Sequence, residues 1–196
     1  MRIMRLGVQL SAFGAALAAA STGAQEASRP LPYDYVFANY AMTELDSGGV
    51  ELGGSIEAAS RIHVFGAYQD WEVNDDFDRT AYHVGGGYHW TLSPRTDFVA
   101  KLAYANTELD RPGQAPDLDE EGLIASGEFR AWVGQRLELS GELFLDDSLD
   151  DLETIVELGA HFHRKNTLSL GGRLRFDEED TTLLLGARFY FGPSAR

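Results

Sequence analysis

The chain has 196 residues, with 31 acidic and 16 basic side chains and a formal net charge of −15 at pH 7. This length suits a single domain. The acidic balance argues against nucleic-acid binding, because phosphate contacts need clustered Lys and Arg. The sequence contains no cysteine, which is compatible with folding in an oxidising periplasm without disulfides.

The first 24 residues have the features of a signal peptide for secretion. Arg2 and Arg5 form a basic start, and residues 6–20 are small and apolar. This stretch is too short for a spanning helix, and a retained N-terminal helix is the competing interpretation. We expect cleavage after Ala24, with Ala20 and Ala27 as alternative sites.

The predicted cleavage divides the chain into four parts. Loss of the signal peptide would reduce the 16 basic residues to 14, against 31 acidic ones, for a net charge of −17. We expect residues 25–32 to form a short periplasmic N-terminal segment. Residues 33–191 are expected to form the folded domain, and residues 192–196 a periplasmic tail.

The folded region has the pattern of β-strands. No other stretch holds ~18 consecutive apolar residues, so a helical membrane protein is excluded. From Tyr33 onward, polar and apolar residues alternate with a period of two. Most of the predicted strands have about the 9–11 residues that a tilted membrane strand needs. They are expected at residues 33–42, 49–58, 61–70, 79–90, 96–106, 122–133, 136–146, 152–162, 167–176 and 181–191.

Charges lie on one parity of these strands and apolar residues on the other. Strand seven, for example, places Glu138 and Glu142 opposite a row of leucines. Strand one is ambiguous, because Asp34 and Asn39 have opposite parities. Successive side chains point to opposite sides of a strand, so the charged parity predicts the inner surface of a barrel. The predicted lumen charges are Glu51, Glu57, Asp97, Lys101, Glu128, Arg130, Glu138, Glu142, Glu157, Arg173, Arg175 and Arg188.

The links between strands fall into two kinds. Links after even strands are short and contain only basic charges, at residues 59–61, 92–95, 134–136 and 163–166. Links after odd strands are longer and hold most of the acidic residues, at residues 43–48, 70–78, 107–121, 146–153 and 177–180. This asymmetry is typical of outer-membrane barrels, which have short periplasmic turns and long outer loops.

Alternation alone also fits a soluble periplasmic barrel that binds a ligand, with its apolar face inside. Charges of both signs on neighbouring strands, the two kinds of link and aromatic residues near the strand ends favour the membrane barrel. Unpaired backbone groups are costly in hydrocarbon, so strand one must then pair with strand ten. An even strand count places both termini in the periplasm.

The chain resembles small Gram-negative outer-membrane β-barrel (porin-like) proteins. The resemblance rests on residues 33–36 through 44–46, residues 62–68 and the closing strand. Gly186, Phe189 and Phe191 have G-x-x-F-x-F spacing, which resembles the C-terminal signal read by the outer-membrane assembly machinery. The expected fold is an all-β, ten-stranded antiparallel up-and-down transmembrane barrel in the lipid bilayer of the outer membrane.

The expected function is that of a structural or narrow porin-like barrel. Ten strands lie nearer to the eight that side chains fill than to the 16 or more of open porins, which favours a largely filled lumen over an open one. No cofactor is expected. A rim hydrolase is the enzyme alternative, for which His83 is the nearest histidine to the outer end, but no Ser-based elbow is present.

The sequence offers two candidate kinds of metal site. The acidic loops offer the hard oxygen ligands that divalent cations prefer, either for ions or for bridging to lipopolysaccharide phosphates, although a purely solvated surface is favoured. The pairs His83 with His89 and His161 with His163 share faces, but no zinc spacing is present. Interior polar histidines are the favoured interpretation, and no metal site is predicted.

Overall fold

A computed structural model describes residues 30–43, 48–74, 77–110, 118–148, 152–177 and 180–192. The predicted signal peptide and the tail beyond residue 192 lie outside these ranges. Within them no helix has the length and apolar character needed to cross a membrane. The strands are β1 Tyr35–Thr43, β2 Gly48–Ala59, β3 Ile62–Asn74, β4 Phe77–Ser93, β5 Thr96–Asp110, β6 Leu118–Val133, β7 Leu137–Asp146, β8 Glu153–Lys165, β9 Leu168–Phe176 and β10 Thr181–Tyr190.

The ten strands form a closed antiparallel barrel, which confirms the predicted fold class. Each strand pairs with its neighbours in sequence, and β1 also pairs with β10. That ladder runs from the pair Tyr35 and Tyr190 to the pair Thr43 and Thr182. Closure leaves no open sheet edge within the barrel wall, as a strand surrounded by hydrocarbon requires. We call the end with the short links the turn side and the other end the loop side.

Gly186 lies at a close approach of β10 to β1. A Cβ atom at this position would collide with the carbonyl oxygen of Ala38 and with the side chain of Asn39. Glycine is therefore needed for the backbone of the closing pair to meet, independently of any role in assembly.

The ambiguity of β1 is resolved by its starting point. The strand begins at Tyr35, two residues later than predicted, so Asp34 lies outside the sheet. The carboxylate of Asp34 accepts a hydrogen bond of 2.7 Å from the backbone N–H of Glu57, and its carbonyl accepts one from Phe191. The buried residues Asn39 and Ala41 then define the inner parity of β1.

The outer surface of the barrel is apolar and the inner surface is polar. Large hydrophobic side chains are exposed on every strand, with Leu52, Leu102 and Phe189 each more than half exposed. Charged residues such as Glu51 and Arg130 are almost fully buried. A soluble ligand-binding barrel has the reverse arrangement, so the soluble alternative is wrong.

The hairpins β3–β4 and β5–β6 are longer than predicted. Residues 71–74, 77–78, 107–110 and 118–121 were expected in loops but lie in strands. Outside hydrocarbon both strand faces can be polar, so alternation of polarity stops while the backbone ladder continues. For example, Thr107 and Glu120 still pair across β5 and β6. This half of the wall therefore extends beyond the predicted strand ends on the loop side.

A lipid-facing charge provides a test of how the barrel sits in a bilayer. Leu102 lies in the middle of β5 and is 57% exposed, whereas Leu152 precedes β8 at the loop side and is 62% exposed. We expect Leu102→Arg to lower the free energy of unfolding by ~2–4 kcal/mol and Leu152→Arg by ~0–1 kcal/mol. Urea titration in lipid vesicles, followed by Trp fluorescence, measures both. Equal losses would contradict a position of the barrel in which the bilayer midplane lies near the level of Leu102.

Candidate functional site

The centre of the lumen holds an ion-pair network that joins β2 to β8 and β9. The Arg173 guanidinium donates to the carboxylates of Glu51 and Glu157, and the Glu157 bond is 2.9 Å long. Arg175 lies 3.1 Å from Glu157. Glu51 also accepts hydrogen bonds from Asn39 and Gln69. The network spans the lumen because Arg173 and Glu51 lie on strands separated by both β1 and β10.

A second network lies on the wall formed by β5, β6 and β7. The Lys101 ammonium is 2.7 Å from Glu128 and 3.0 Å from Glu142. Ser126 donates a further hydrogen bond of 2.6 Å to Glu142. The Lys101 ammonium is therefore the counter-charge of both carboxylates, and the serine hydroxyl stabilises one of them by hydrogen bonding.

A third network lies nearer the turn side and is centred on Glu138, which is fully buried. Arg130 donates two hydrogen bonds to one carboxylate oxygen, at 3.1 and 2.8 Å, and Arg188 approaches the same oxygen at 3.4 Å. The other oxygen lies 3.1 Å from Nε2 of His163. Glu138 is thus the common partner of two arginines and a histidine.

The two remaining predicted lumen charges have different surroundings. Asp97 is buried and accepts a 2.9 Å hydrogen bond from the hydroxyl of Tyr33. Glu57 has the inner parity but is exposed, because it lies close to the turn-side end of β2. Ten of the twelve predicted lumen charges therefore lie in the three networks. The other two are Asp97, which binds the N-terminal segment, and Glu57, which is exposed.

The segment before β1 enters the lumen from the turn side, which the sequence analysis did not predict. Leu31 and Pro32 were expected in a periplasmic segment but are buried, as are Tyr33 and Asp34. The carbonyl of Pro32 accepts a hydrogen bond from Arg130. Burial of apolar side chains favours this position over a solvated one. We call residues 31–34 the N-terminal plug.

Tyr33 makes most of the specific contacts of the N-terminal plug. Its ring stacks on His89, with centroids 4.2 Å apart, and on His63 at 5.0 Å. The Arg130 guanidinium lies 4.8 Å from the ring centroid. Burial raises the pKa of Tyr33, so its hydroxyl stays protonated and donates to Asp97. Leu31 and Tyr33 also form a small apolar cluster with two residues of the wall, Val99 and Trp132.

The described part of the lumen contains cavities on the loop side of the N-terminal plug. The loop-side cavity has a volume of about 340 Å³, and a smaller one of about 100 Å³ lies at the level of the central networks. His83, Ile124, Phe144 and Arg175 line both. Below them the rings of Trp132, His163 and Tyr190 pack against one another. The polar space is therefore continuous from the loop side and blocked at the turn side.

The histidines are interior side chains of the barrel. His161 and His163 are buried; His163 is hydrogen-bonded to Glu138, whereas neither ring nitrogen of His161 has a hydrogen-bond partner within the described part of the barrel. His83 lies between the two cavities and packs on Phe65 instead of standing at the outer rim. Among the described residues no group of three His, Asp or Glu side chains is placed to hold a metal ion. Several predicted acidic-loop residues lie outside the described ranges, including Asp75, Asp76, Asp150, Asp151, Glu178 and Glu179.

The residues of the predicted assembly signal are divided between two surfaces. Phe189 is 53% exposed and Phe191 is 36% exposed, so both face outward at the turn-side end of the closing strand. Gly186 lies at the tight contact with β1 described above. The geometry thus leaves both aromatic rings accessible and gives Gly186 a structural role.

An apolar exterior, a charged interior and closure by pairing of the first and last strands define the fold of outer-membrane β-barrels. No family model matches the sequence, and no curated protein matches it. A similar solved structure is the KdgM porin, which is 10% identical, with 81% of this chain and 99% of that chain covered and a TM-score of 0.52. This likeness shows a shared fold.

Two further barrels are similar at lower TM-scores. The NanC porin is 9% identical, with 81% of this chain and 100% of that chain covered and a TM-score of 0.44. Ail, the attachment invasion locus protein of Yersinia pestis, is 13% identical, with 80% and 95% covered and a TM-score of 0.42.

Proposed function

We propose that the protein is an integral outer-membrane barrel of the narrow porin-like type, closed in the state described here. The observation that carries this proposal is the N-terminal plug. The blocking residues 31–34 precede β1 and are not part of the barrel wall. Residues 31–33 can therefore leave the lumen without breaking the ladder between β1 and β10, to which the Phe191 N–H adds one further bond at the Asp34 carbonyl.

The lumen itself supports a narrow pathway over an open one. The three networks place cations and carboxylates within hydrogen-bonding distance of one another, so few charges remain to attract a solute at mid-height. The space between them amounts to about 100 Å³. This admits water and small ions but not large solutes, which agrees with the intermediate width of a ten-stranded barrel.

Membrane insertion is tested by fractionation. We expect the protein to remain in the outer-membrane fraction after washing with carbonate or urea and to need detergent for extraction. Extraction without detergent would contradict the proposal. Planar-bilayer recording then tests the pathway, for which we expect rare discrete openings of small conductance. If neither the unmodified chain nor a plug variant conducts at any voltage, the barrel is structural and not porin-like.

The orientation and partners follow from the same proposal. The short basic turns and both termini would lie in the periplasm, and the acidic loops would face outward among lipopolysaccharide. Arg61, Arg136 and Arg164 are exposed on the turn side, which is compatible with this arrangement. We also propose that divalent cations bridge the acidic loops and the lipopolysaccharide phosphates. Protease accessibility of an epitope inserted near residue 113 on intact cells tests the orientation.

The remaining proposed partner is the outer-membrane assembly machinery. Substitutions in β10 distinguish residues that this machinery recognises from residues that are needed for packing. We expect Phe189→Ala and Phe191→Ala to refold in micelles but to reach the outer membrane in several-fold lower amounts. Gly186→Val should fail in both settings, because its side chain collides with β1. Leu185→Ala, another exposed position on β10, is the control. Heat-modifiable gel mobility reports the folded fraction, and unchanged amounts of the Phe variants in cells would refute the signal.

A further inference from the structure

The loop-side cavity contains two buried N–H groups that the ion-pair networks do not use. Trp71 and Arg79 are direct cross-strand partners on β3 and β4, and both side chains line the cavity. Nε1 of Trp71 and Nε of Arg79 are buried and have no hydrogen-bond partner. Unpaired buried donors are costly, and both of these groups can only donate. Acceptor oxygens of a ligand would satisfy the two together.

The wall that faces this donor pair is acidic. Four carboxylate residues of the cavity come from the strands and links between β7 and β10, namely Asp146, Glu153, Asp177 and Asp180. β4 and β9 lie on opposite sides of the closed strand order. Asp146, Glu153 and Asp177 are near enough to interact electrostatically with Arg79 across the cavity. The backbone N–H and the hydroxyl of Ser148 donate to one oxygen of Asp146 at 2.9 and 2.6 Å, and the N–H of Asp180 donates to Asp177 at 2.6 Å. An ionised carboxylate has about four acceptor sites, so Asp146 retains capacity for a cation.

The turn-side end of the cavity adjoins the smaller cavity at the central networks, because four residues line both. One of these residues is Arg175, which is bound to Glu157. The N-terminal plug blocks the turn side further below. The described part of the lumen is therefore blocked on the turn side of this cavity. The volume of about 340 Å³ lies within the ~300–1,000 Å³ that is typical of small-molecule sites.

We propose that the loop-side cavity binds a small zwitterionic solute of the amino-acid or short-peptide class. The carboxylate of the solute accepts hydrogen bonds from Trp71 and Arg79, and its ammonium group lies against the acidic wall. Opposite charges on opposite walls favour a molecule that carries both signs over one that carries either alone. This binding does not require the lumen to conduct, so it stands apart from the porin-like function.

Three peptides that differ only in charge test the proposal. The refolded full chain in zwitterion-free detergent micelles is titrated by calorimetry at pH 7 with triglycine, N-acetyl-triglycine and triglycine amide. We expect triglycine to bind at least about tenfold more tightly than either of the others, because each loses one charged contact. A faster-migrating folded band on unheated gels verifies that each sample is folded.

Variants assign the two charged contacts to the two walls. Arg79→Gln should weaken triglycine about tenfold and make it bind like triglycine amide, while Glu153→Gln should make it bind like N-acetyl-triglycine. Arg136→Gln in an exposed turn is the control and should change nothing. Trp71→Phe removes one donor and keeps most of the ring, so it tests the donor pair if Arg79→Gln fails to fold.

Three outcomes would overturn the proposal. Folded protein that shows no saturable binding of triglycine has no such site. Equal affinities for the three peptides would show that charge is not recognised. Tighter binding of N-acetyl-triglycine than of triglycine would identify an anion site, in which the acidic wall has no part. None of these results bears on whether the barrel conducts, which is measured separately in bilayers.

Discussion

Glu138→Gln is expected to lower the free energy of unfolding by ~3–5 kcal/mol. The substitution keeps the shape of the side chain but removes the charge that Arg130 and Arg188 share. Both guanidinium groups would then remain in a buried position with no full counter-charge from this residue. Breaking one side of a buried ion pair is costly for this reason, even where the intact pair adds little net stability.

The matched control is Glu57→Gln, which makes the same chemical change on the same inner parity of the barrel. Glu57 is exposed, so its substitution should change the free energy of unfolding by no more than ~0.5 kcal/mol. Reversible urea unfolding in vesicles measures both variants. If Glu138→Gln costs no more than Glu57→Gln, then the third network does not stabilise the barrel.

A double variant distinguishes the energy of the ion pair between Arg130 and Glu138 from the packing energy of their side chains. Arg130→Met combined with Glu138→Leu removes both charges while keeping apolar volume in the lumen. We expect it to lose less stability than the sum of the two single changes, with a coupling energy of ~0.5–3 kcal/mol. Additive losses would indicate that Arg130 and Glu138 act separately, for example through the stack of Arg130 on Tyr33.

The sequence predicted the wall of the barrel well because the wall has one strict physical rule. Each strand passes between hydrocarbon and a polar interior, so a charge on the wrong parity is heavily penalised. Glu51, Arg173 and Glu142 could therefore be assigned to the inside from alternation alone. Closure also followed from physics, since an unpaired edge is not tolerated in a bilayer.

The partners of these charges could not be predicted in the same way. Arg173 and Glu51 are 122 residues apart in sequence, and their contact depends on the stagger of strands around the whole barrel. Local patterns describe one strand or one hairpin and contain no information on that stagger. The extended ends of β4 and β6 were missed for a related reason, since strands outside the bilayer lose the alternation that reveals them.

The N-terminal plug was missed because Tyr33 and Asp34 fit the alternation of β1. A signal was present in Pro32, which has no N–H to donate to a ladder and is confined to strand edges and starts. Pro30 and Pro32 argue against a strand that extends before Tyr33, but they do not distinguish a start at Tyr33 from one at Tyr35. The sequence could therefore predict neither the exact start of β1 nor the burial of the preceding residues in the lumen.

Tyr33→Ala is expected to increase ion flux through the barrel on the order of 100-fold. The change removes ring stacking on His63 and His89 and a hydrogen bond to the carboxylate of Asp97. Contacts of these kinds are worth ~0.5–1.5 and ~1.5–3 kcal/mol. Their loss weakens the seated state of the N-terminal plug by about 3 kcal/mol, and each 1.4 kcal/mol changes a population about tenfold. Planar-bilayer recording in KCl gives the open probability.

Two variants show whether the ring or its hydroxyl holds the N-terminal plug. Tyr33→Phe keeps the stacking and loses only the hydrogen bond to Asp97, so it should increase flux by an intermediate amount. Tyr40→Ala removes the same side chain from an outward position that is 55% exposed and should leave flux unchanged. A folded Tyr33→Ala barrel with the flux of the unmodified chain would show that the layer of Trp132, His163 and Tyr190 closes the lumen by itself. Flux that rises in all three variants would instead indicate general loosening of the barrel, because Tyr40 touches neither the plug nor the lumen.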